Sequence, residues 1–126
     1  MKLLTIWQPL AGLIINGYKK YEFRSWKTNH MWKLLIHAAV GTDKKVISRF
    51  DSYNLDYTNG AIIDECQIVD CILVDKEFSD ELNIIVPNVY TDSNYNAKYA
   101  WKLENIIKYD EPICCKGQLC LWNYDI

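Results

Sequence analysis

The sequence predicts an α+β fold, a small, mixed, mostly antiparallel β-barrel with two or three flanking helices. Segments with the period-two alternation of strands outnumber segments with helical spacing, and strands and helices do not alternate regularly along the chain. Half of the 126 residues are hydrophobic, which is enough to bury one real core. We therefore expect residues 1–126 to form a single domain.

The opening stretch from Leu3 to Trp26 combines a strand, a short helix and a second strand. Leu3 to Trp7 has the composition of a strand, and Pro9 follows where a helix would begin, because its fixed φ suits the first helical turn. The apolar face of this helix consists of Leu10, Leu13 and Ile14. Gly17 then predicts a left-handed cap that ends the helix.

From Lys19 the hydrophobic period switches to two, which predicts a strand. Tyr21 and Phe23 lie on one side of it. The other side carries Lys20, Glu22, Arg24 and Trp26. Strict alternation thus places Lys20 beside Glu22 and Arg24, whereas a bend after Gly17 would bring Lys19 there, so both lysines are candidates for the same site.

This opening stretch resembles the signature of the ASCH domain, a relative of the PUA RNA-binding barrels. The pattern is Trp-Gln-Pro, a short apolar helix and then Gly-x-Lys-x-x-Glu-x-Arg-Ser-Trp. Its members here are Trp7, Gln8, Pro9, Gly17, Lys19, Glu22, Arg24, Ser25 and Trp26. Further matches follow at Ile36 to Ala38, from Gly60, at Tyr99 to Leu103 and at Lys116 to Trp122. The resemblance spans nearly the whole chain and implies a single ASCH domain with a PUA-like barrel.

The middle of the chain predicts a strand, a helix and a long strand. The first strand runs from Lys33 to Ala39 and is broken by Gly41, after which Thr42 caps a helix that runs to about Tyr53. Gly60 opens a strand to about Asp75. Alternation places six of its residues on one face: Ile62, Asp64, Cys66, Ile68, Asp70 and Ile72.

The last third predicts a helical turn, a long loop and two closing strands. The turn covers Phe78 to Leu82, and the loop covers Asn83 to Lys98. The closing strands cover Tyr99 to Tyr109 and Leu119 to Tyr124, and the turn region between them carries Pro112 and Gly117.

Composition and charge exclude several classes of protein. The net charge of −2 argues against coating of nucleic acid by bulk electrostatics, but five bases face one acid between Lys19 and Lys33. By contrast, Asp51 to Asp92 carries ten acids and one base. No apolar stretch is long enough to cross a bilayer, and the start lacks the apolar run of a signal peptide, so we expect a cytoplasmic protein without a membrane partner. The five cysteines contain no Cys-x-x-Cys pair, and we predict neither a metal nor another cofactor.

In the arrangement that the resemblance implies, the bases lie close to Trp7 and Trp26, and this combination favours a nucleotide pocket with RNA or a nucleoside as the partner. An arginine can grip a phosphate with two donors, a lysine supplies a point charge, and an indole can stack on a base. The predicted RNA- or nucleotide-binding residues are Trp7, Gln8, Lys20, Arg24, Ser25 and Trp26. The alternative is that Glu22 and Arg24 merely pair across a strand face while the tryptophans belong to the core.

The resemblance also implies possible chemistry. Some ASCH proteins are similar to amidohydrolases that remove an acyl group from modified cytidine with a lysine, a threonine and a glutamate, and others resemble ribonucleases. In this chain Lys19 matches the lysine, Glu22 occupies the threonine position, and Asp64 matches the acid, with Glu65 as its alternative. The predicted catalytic residues are therefore Lys19, Glu22 and Asp64. His37 is either a further acid or base or, on its apolar strand, a core histidine bonded to the backbone.

Three functions follow from these observations. The leading interpretation is a module that binds single-stranded RNA or a modified nucleoside beside the stretch from Lys19 to Trp26. The second is an enzyme that acts on RNA or nucleosides in the same cleft. The third is a structural or accessory domain that contacts another protein.

Overall fold

Six strands form one mixed sheet, and three helices lie beside it. The structure, a computed structural model, describes residues 1–85, 89, 98–117 and 121–124. The strands are β1 (Lys2–Gln8), β2 (Tyr21–Arg24), β3 (Lys33–Thr42), β4 (Ala61–Leu73), β5 (Tyr99–Cys114) and β6 (Leu121–Asn123). The helices are α1 (Leu10–Ile15), α2 (Lys44–Ile47) and α3 (Lys76–Ile85), and a 3₁₀ segment, Ser48–Tyr53, continues α2.

The strand order is β2-β5-β4-β3-β1-β6, and only the pair β1–β3 is parallel among the described strands. Hydrogen bonds do not join the edge strands β2 and β6 within the described part of the chain. The sheet is nevertheless curved like a barrel, because the side chain of Arg24 on β2 reaches the main-chain oxygen of Thr5 on β1, with Nη2 3.3 Å away. The predicted α+β class, with a mostly antiparallel barrel-like sheet and three flanking helices, is confirmed.

Both faces of the central strands are buried. The largest core cluster fills the inner face, where Leu4, Ile36 and Trp101 pack against α1. A second cluster, around Leu13 and Phe50, lies beneath the helices. On the outer face, the third cluster consists of Leu3, Leu35 and Ile62, covered by Tyr109, Ile113, Cys115, Trp122 and Tyr124. Adjacent residues of β1 and β3 therefore enter different cores, which explains why these strands read as continuous apolar runs.

The structure confirms the strand, helix and strand predicted for the opening stretch. Leu13 and Ile14 of α1 are fully buried, and Gly17 has a φ of +82°, the left-handed conformation that a helix C-terminus favours. The order of elements thus follows from local signals: Pro9 before the helix, glycine after it and alternation beyond.

The predicted break at Gly41 is wrong, because β3 continues to Thr42. A Cβ added at Gly41 would lie 3.0 Å from the indole of Trp7, so the glycine permits close approach of a ring and does not end the strand. The predicted cap at Thr42 is also wrong. The carboxylate of Asp43 caps α2 by accepting hydrogen bonds from the main-chain nitrogens of Lys45 and Val46.

The prediction of one continuous face on β4 is wrong as well. The register against β3 shifts between Ile36 and His37, so that Ile36 pairs with Asp64 while His37 pairs with Ile62. The extra residue, Ile63, makes a bulge that places Ile62 in the outer cluster while Cys66 lies in the inner one. This bulge turns Asp64 toward the inner core.

Two further boundaries differ from the predictions. Strand β5 runs through Pro112, although the sequence predicts a turn there. Pro112 lies in the irregular stretch between Lys108 and Ile113, whose residues have no register partner on β4, so the proline takes no donor from a regular pair. Helix α3 spans ten residues where one helical turn was predicted. Most of the predicted loop from Asn83 to Lys98, and the start of the last strand at Leu119, lie outside the described residues.

Candidate functional site

The turn after α1 determines which lysine joins Glu22 and Arg24. The main-chain nitrogens of Tyr18 and Lys19 both donate to the oxygen of Leu13, at 2.9 and 3.0 Å, so the chain doubles back before β2 begins. As a result the side chain of Lys19 points inward and is 1% exposed, whereas Lys20 is exposed. The bend after Gly17 thus resolves the choice between the two lysines.

Lys19, Glu22 and Arg24 form an ion-pair cluster in which two cations share one carboxylate. Lys19 Nζ lies 2.9 Å from Glu22 Oε1, and Arg24 Nη2 lies 3.3 Å from Glu22 Oε2. The main-chain nitrogen of Phe23 also donates to Glu22 Oε1, and Lys19 Nζ donates to the oxygen of Tyr21. With each group in its ordinary charge state, two bases and one acid leave one positive charge in excess.

Burial and mutual attraction set the protonation of this cluster. Burial lowers the pKa of Lys19, and the charge of Glu22 opposes that effect only in part. Burial alone would raise the pKa of Glu22, but the charges of Lys19 and Arg24 outweigh it and hold that pKa below its usual value. We conclude that Glu22 is ionised at neutral pH.

Arg24 is the accessible member of the cluster. Its side chain is 25% exposed, against 1% for Lys19 and 6% for Glu22. One of its nitrogens, Nη2, contacts Glu22 and Thr5, while Nε is buried and has no hydrogen-bond partner among the described residues. The exposed part of the guanidinium, and not the buried Nε, can offer donors to an anion.

A groove of about 610 Å³ opens beside this cluster. One wall is the turn from Gly17 to Tyr21, which contributes Lys19 and Lys20, and the other wall is β5 from Lys102 to Ile106. Leu103 N donates to Lys20 O at 2.9 Å and joins the two walls. Lys102 and Glu104 form an exposed pair, 3.5 Å apart, along the rim. Sequence patterns did not identify Lys102 as part of this wall, because it lies some 80 residues from the motif.

Asp64 lies in the core, and no described residue forms a hydrogen bond with its carboxyl group. It is 0% exposed, and neither carboxylate oxygen has a hydrogen-bond partner among the described residues. Burial, and after it the charge of Glu65, raises the pKa of Asp64 to about 8, so the group is mostly protonated at neutral pH. No hydrogen bond in the described part of the chain joins it to Lys19 or Glu22. Glu65, its alternative, pairs with Leu35 and Ile107 on the neighbouring strands.

The other predicted binding residues have different surroundings. Gln8 is 1% exposed, and both ends of its amide are used: Nε2 donates to Thr58 O, and Oε1 accepts from Gly12 N. Trp26 is half-buried and packs edge-on against Trp101 at 4.6 Å. Ser25 is exposed.

Trp7 lies over Gly41 with 56% of its surface exposed. Its indole therefore belongs to the end of β3 where α2 begins.

Both histidines bond to the backbone. His37 is fully buried, and its Nε2 lies 2.7 Å from the oxygen of Cys115, which confirms the interpretation of a core histidine. His30 Nε2 lies 2.7 Å from the oxygen of Lys33. Within the described ranges, His, Cys, Asp and Glu side chains form no group of three or more that could hold a metal ion.

Comparison with known proteins agrees with this fold. The family model of the ASCH domain matches residues 4–113. Activating signal cointegrator 1 is 29% identical over 137 residues in Mus musculus and 28% identical over 136 residues in Homo sapiens. Each alignment covers 97% of this chain but 22% of the relative, so the chain spans about a fifth of the length of these curated relatives.

Solved structures are similar in fold. The crystal structure of ASCH from Zymomonas mobilis has a TM-score of 0.56 and 15% identity, and the alignment covers 90% of this chain and 72% of that one. A single-residue mutant of the same protein gives the same TM-score and identity, with 74% of that chain covered. None of the helices described here is long and apolar enough to span a membrane.

Proposed function

Because the chain belongs to the ASCH domain family, we propose that it binds single-stranded RNA or a modified nucleoside in the groove beside the ion-pair cluster. The excess positive charge of Lys19, Glu22 and Arg24 is the observation that carries this proposal. Two cations around one carboxylate leave a charge that a phosphate can neutralise. Because the cluster is largely removed from water, its attraction for an anion is stronger than that of surface lysines.

The size and lining of the groove support a ligand of nucleotide dimensions. Its volume of about 610 Å³ lies within the range of small-molecule sites in proteins. Lys20 and Lys102 add charge at its two walls, and the wall formed by β5 also contributes the apolar Leu103 and Ile106. We assign phosphate contact to Arg24 and Lys20, while the groove between the walls receives the base or ribose.

A second candidate function is hydrolysis of a nucleoside or of RNA in the same groove. It is favoured by the lowered pKa of Lys19, since a lysine that loses its proton more easily is suited to proton transfer. The arrangement of Asp64 argues for binding as the better-supported function, because its carboxyl group has no hydrogen bond to Lys19 or Glu22.

Anisotropy of a labelled single-stranded RNA, measured across a salt titration, tests the proposed function. We expect the affinity of the wild type to fall as salt rises from about 50 to 200 mM, because phosphate contacts release counterions. Arg24→Glu should weaken binding at least tenfold. Lys20→Gln, which leaves the buried cluster intact, should weaken binding less and flatten the salt dependence.

Lys44→Glu provides the matched control, since Lys44 is exposed at the start of α2 and does not line the groove. Equal affinity of the wild type, Arg24→Glu and Lys20→Gln at every salt concentration would exclude this groove as the RNA site.

A further inference from the structure

The connection between β2 and β3, residues 25–32, presents an exposed tryptophan on an anchored backbone. Trp32 is 61% exposed, more than any other aromatic residue in the described part of the chain. Its main-chain oxygen nevertheless accepts a hydrogen bond of 3.0 Å from Ile68 N on β4. A single exposed apolar residue is common on protein surfaces, but an indole on an anchored main chain is accessible for stacking, and the charges around it indicate what kind of ligand it suits.

Hydrogen bonds hold this connection in one conformation. Thr28, which is 3% exposed, accepts from His30 N through its hydroxyl oxygen at 3.0 Å. The ring of His30 bonds to the oxygen of Lys33 at 2.7 Å, and the indole of Trp101 donates to the oxygen of Trp26 at 3.3 Å. Little main-chain conformational entropy would therefore be lost when a ligand binds, because the backbone that carries the ring of Trp32 is already ordered.

The charges beside Trp32 favour a polyanion. Lys27 and Lys33 are exposed, and neither forms an ion pair with any residue that the structure describes. Residues 25–33 contain no acid. Lysines are depleted from the cores of protein–protein interfaces, whereas an aromatic ring between lysines suits the alternating bases and phosphates of a single strand.

We propose that this connection extends the groove into a track for single-stranded RNA, with Trp32 stacked on a base and Lys27 and Lys33 in contact with phosphates. The inference rests on the proposed function, because the same strand would occupy the groove. The connection begins directly after Arg24, the accessible member of the ion-pair cluster, and leads to the first residue of β3. Ile68, which donates to the main-chain oxygen of Trp32, pairs with Leu103 of the groove wall, so a single strand, β4, separates the two contact regions.

Two probes separate this inference from the function on which it rests: a single-stranded RNA long enough to span both regions, and a mononucleotide that fills only the groove. Trp32→Ala should weaken binding of the long RNA about tenfold and leave the mononucleotide unchanged. Trp32→Phe should retain most of the affinity because a phenyl ring still stacks. Lys33→Gln should reduce the salt slope by about one.

Val40→Ala is the matched control, because it truncates an apolar residue that is 77% exposed near the other end of β3. Equal affinities of Trp32→Ala and Val40→Ala for the long RNA would overturn the inference. If Arg24→Glu lowers the affinity for both probes while Trp32→Ala lowers neither affinity, the proposed function is supported and the inference of a track is refuted. If the wild type binds neither probe, the proposed function and the track are both refuted.

Discussion

Lys19 and Glu22 face each other at 2.9 Å inside the protein, and their side chains are only 1% and 6% exposed. A pair so buried costs more to break than a surface pair, since removal of one member leaves the other charge without its partner. We expect Glu22→Gln to lower the free energy of unfolding by about 3 to 5 kcal/mol, because Lys19 and Arg24 then lose a shared carboxylate. Chemical denaturation measures this change.

The exposed pair of Lys102 and Glu104 provides the control. Its side chains are 39% and 49% exposed, and Glu104→Gln should cost less than about 1 kcal/mol. Similar losses for Glu22→Gln and Glu104→Gln would show that burial does not strengthen the inner pair.

The raised pKa of Asp64 predicts that the stability of the protein depends on pH. Its pKa is raised to about 8 in the folded protein, from an ordinary value near 4 in the unfolded chain. Between these values the folded state holds a proton that the unfolded state has lost. The stabilisation that the protonated Asp64 gives the folded state is therefore complete below pH 4 and disappears as the pH rises through 8.

Near pH 6 the free energy of unfolding should fall by about 1.4 kcal/mol for each pH unit because of Asp64. The difference in unfolding free energy between the wild type and Asp64→Asn isolates this effect. Glu22 acts in the opposite direction at lower pH, since its lowered pKa means that stability is lost when acid protonates it. If Asp64→Asn keeps the same slope as the wild type between pH 5 and 8, the raised pKa is refuted.

Glycine at position 117 should be required by packing. A Cβ there would lie 2.8 Å from the ring of His37 and 2.9 Å from Thr5 Oγ1. Because His37 is fully buried and bonded to Cys115, it cannot move aside, and we expect Gly117→Ala to cost about 1 to 3 kcal/mol by thermal unfolding.

Gly41→Ala makes a useful comparison, since its Cβ would meet the ring of Trp7 at 3.0 Å. That ring is 56% exposed and can turn into solvent, so the expected cost is below that of Gly117→Ala. The reverse order would contradict this account of the two contacts.

Deacylation of acetylated cytidine distinguishes a binder from an enzyme. We predict no appreciable turnover by the wild type, because Glu22 cannot act as a hydroxyl nucleophile and its carboxylate is held by Lys19, Arg24 and Phe23 N. Nucleotide binding should persist, as it depends mainly on Arg24.

Glu22→Thr should gain weak activity only if Lys19 and Asp64 are already positioned for it, and Lys19→Ala then removes that activity. Turnover by the wild type that survives both Lys19→Ala and Asp64→Asn would contradict the site and the preference for binding.

Local patterns predicted the region around the site well. Proline, helical spacing and glycine between Pro9 and Gly17 act within a few residues of each other, so sequence alone identifies the helix and the strands beside it. The same patterns also predicted that Glu22 and Arg24 share a face. The choice of Lys19 over Lys20 depended on the turn geometry after Gly17, which alternation does not encode.

Features set by distant contacts were missed. A glycine such as Gly41 is typical of a strand break, but here it makes room for the ring of Trp7. These two residues are more than thirty positions apart in the sequence. The bulge at Ile63 moves the residues before it on β4 to the opposite face of the sheet. The alternation of apolar residues within one strand does not indicate such a bulge. Lys102 lies in the groove wall because β5 pairs with β2, and the sequence patterns did not predict that pairing.

The pairing of β1 with β6 bears on the order in which the chain can fold. Tyr124 N donates to Met1 O at 2.9 Å, and Leu3 pairs with Trp122 in antiparallel register. During synthesis β1 leaves the ribosome long before either of its partners, and its second edge is covered only after β6 has emerged. Such non-local pairing slows folding, and a nascent chain halted before Leu121 would expose an apolar strand edge to other chains. The strand that leads into the Trp-Gln-Pro motif is thus made before the other described strands and is the last of them to have both edges covered.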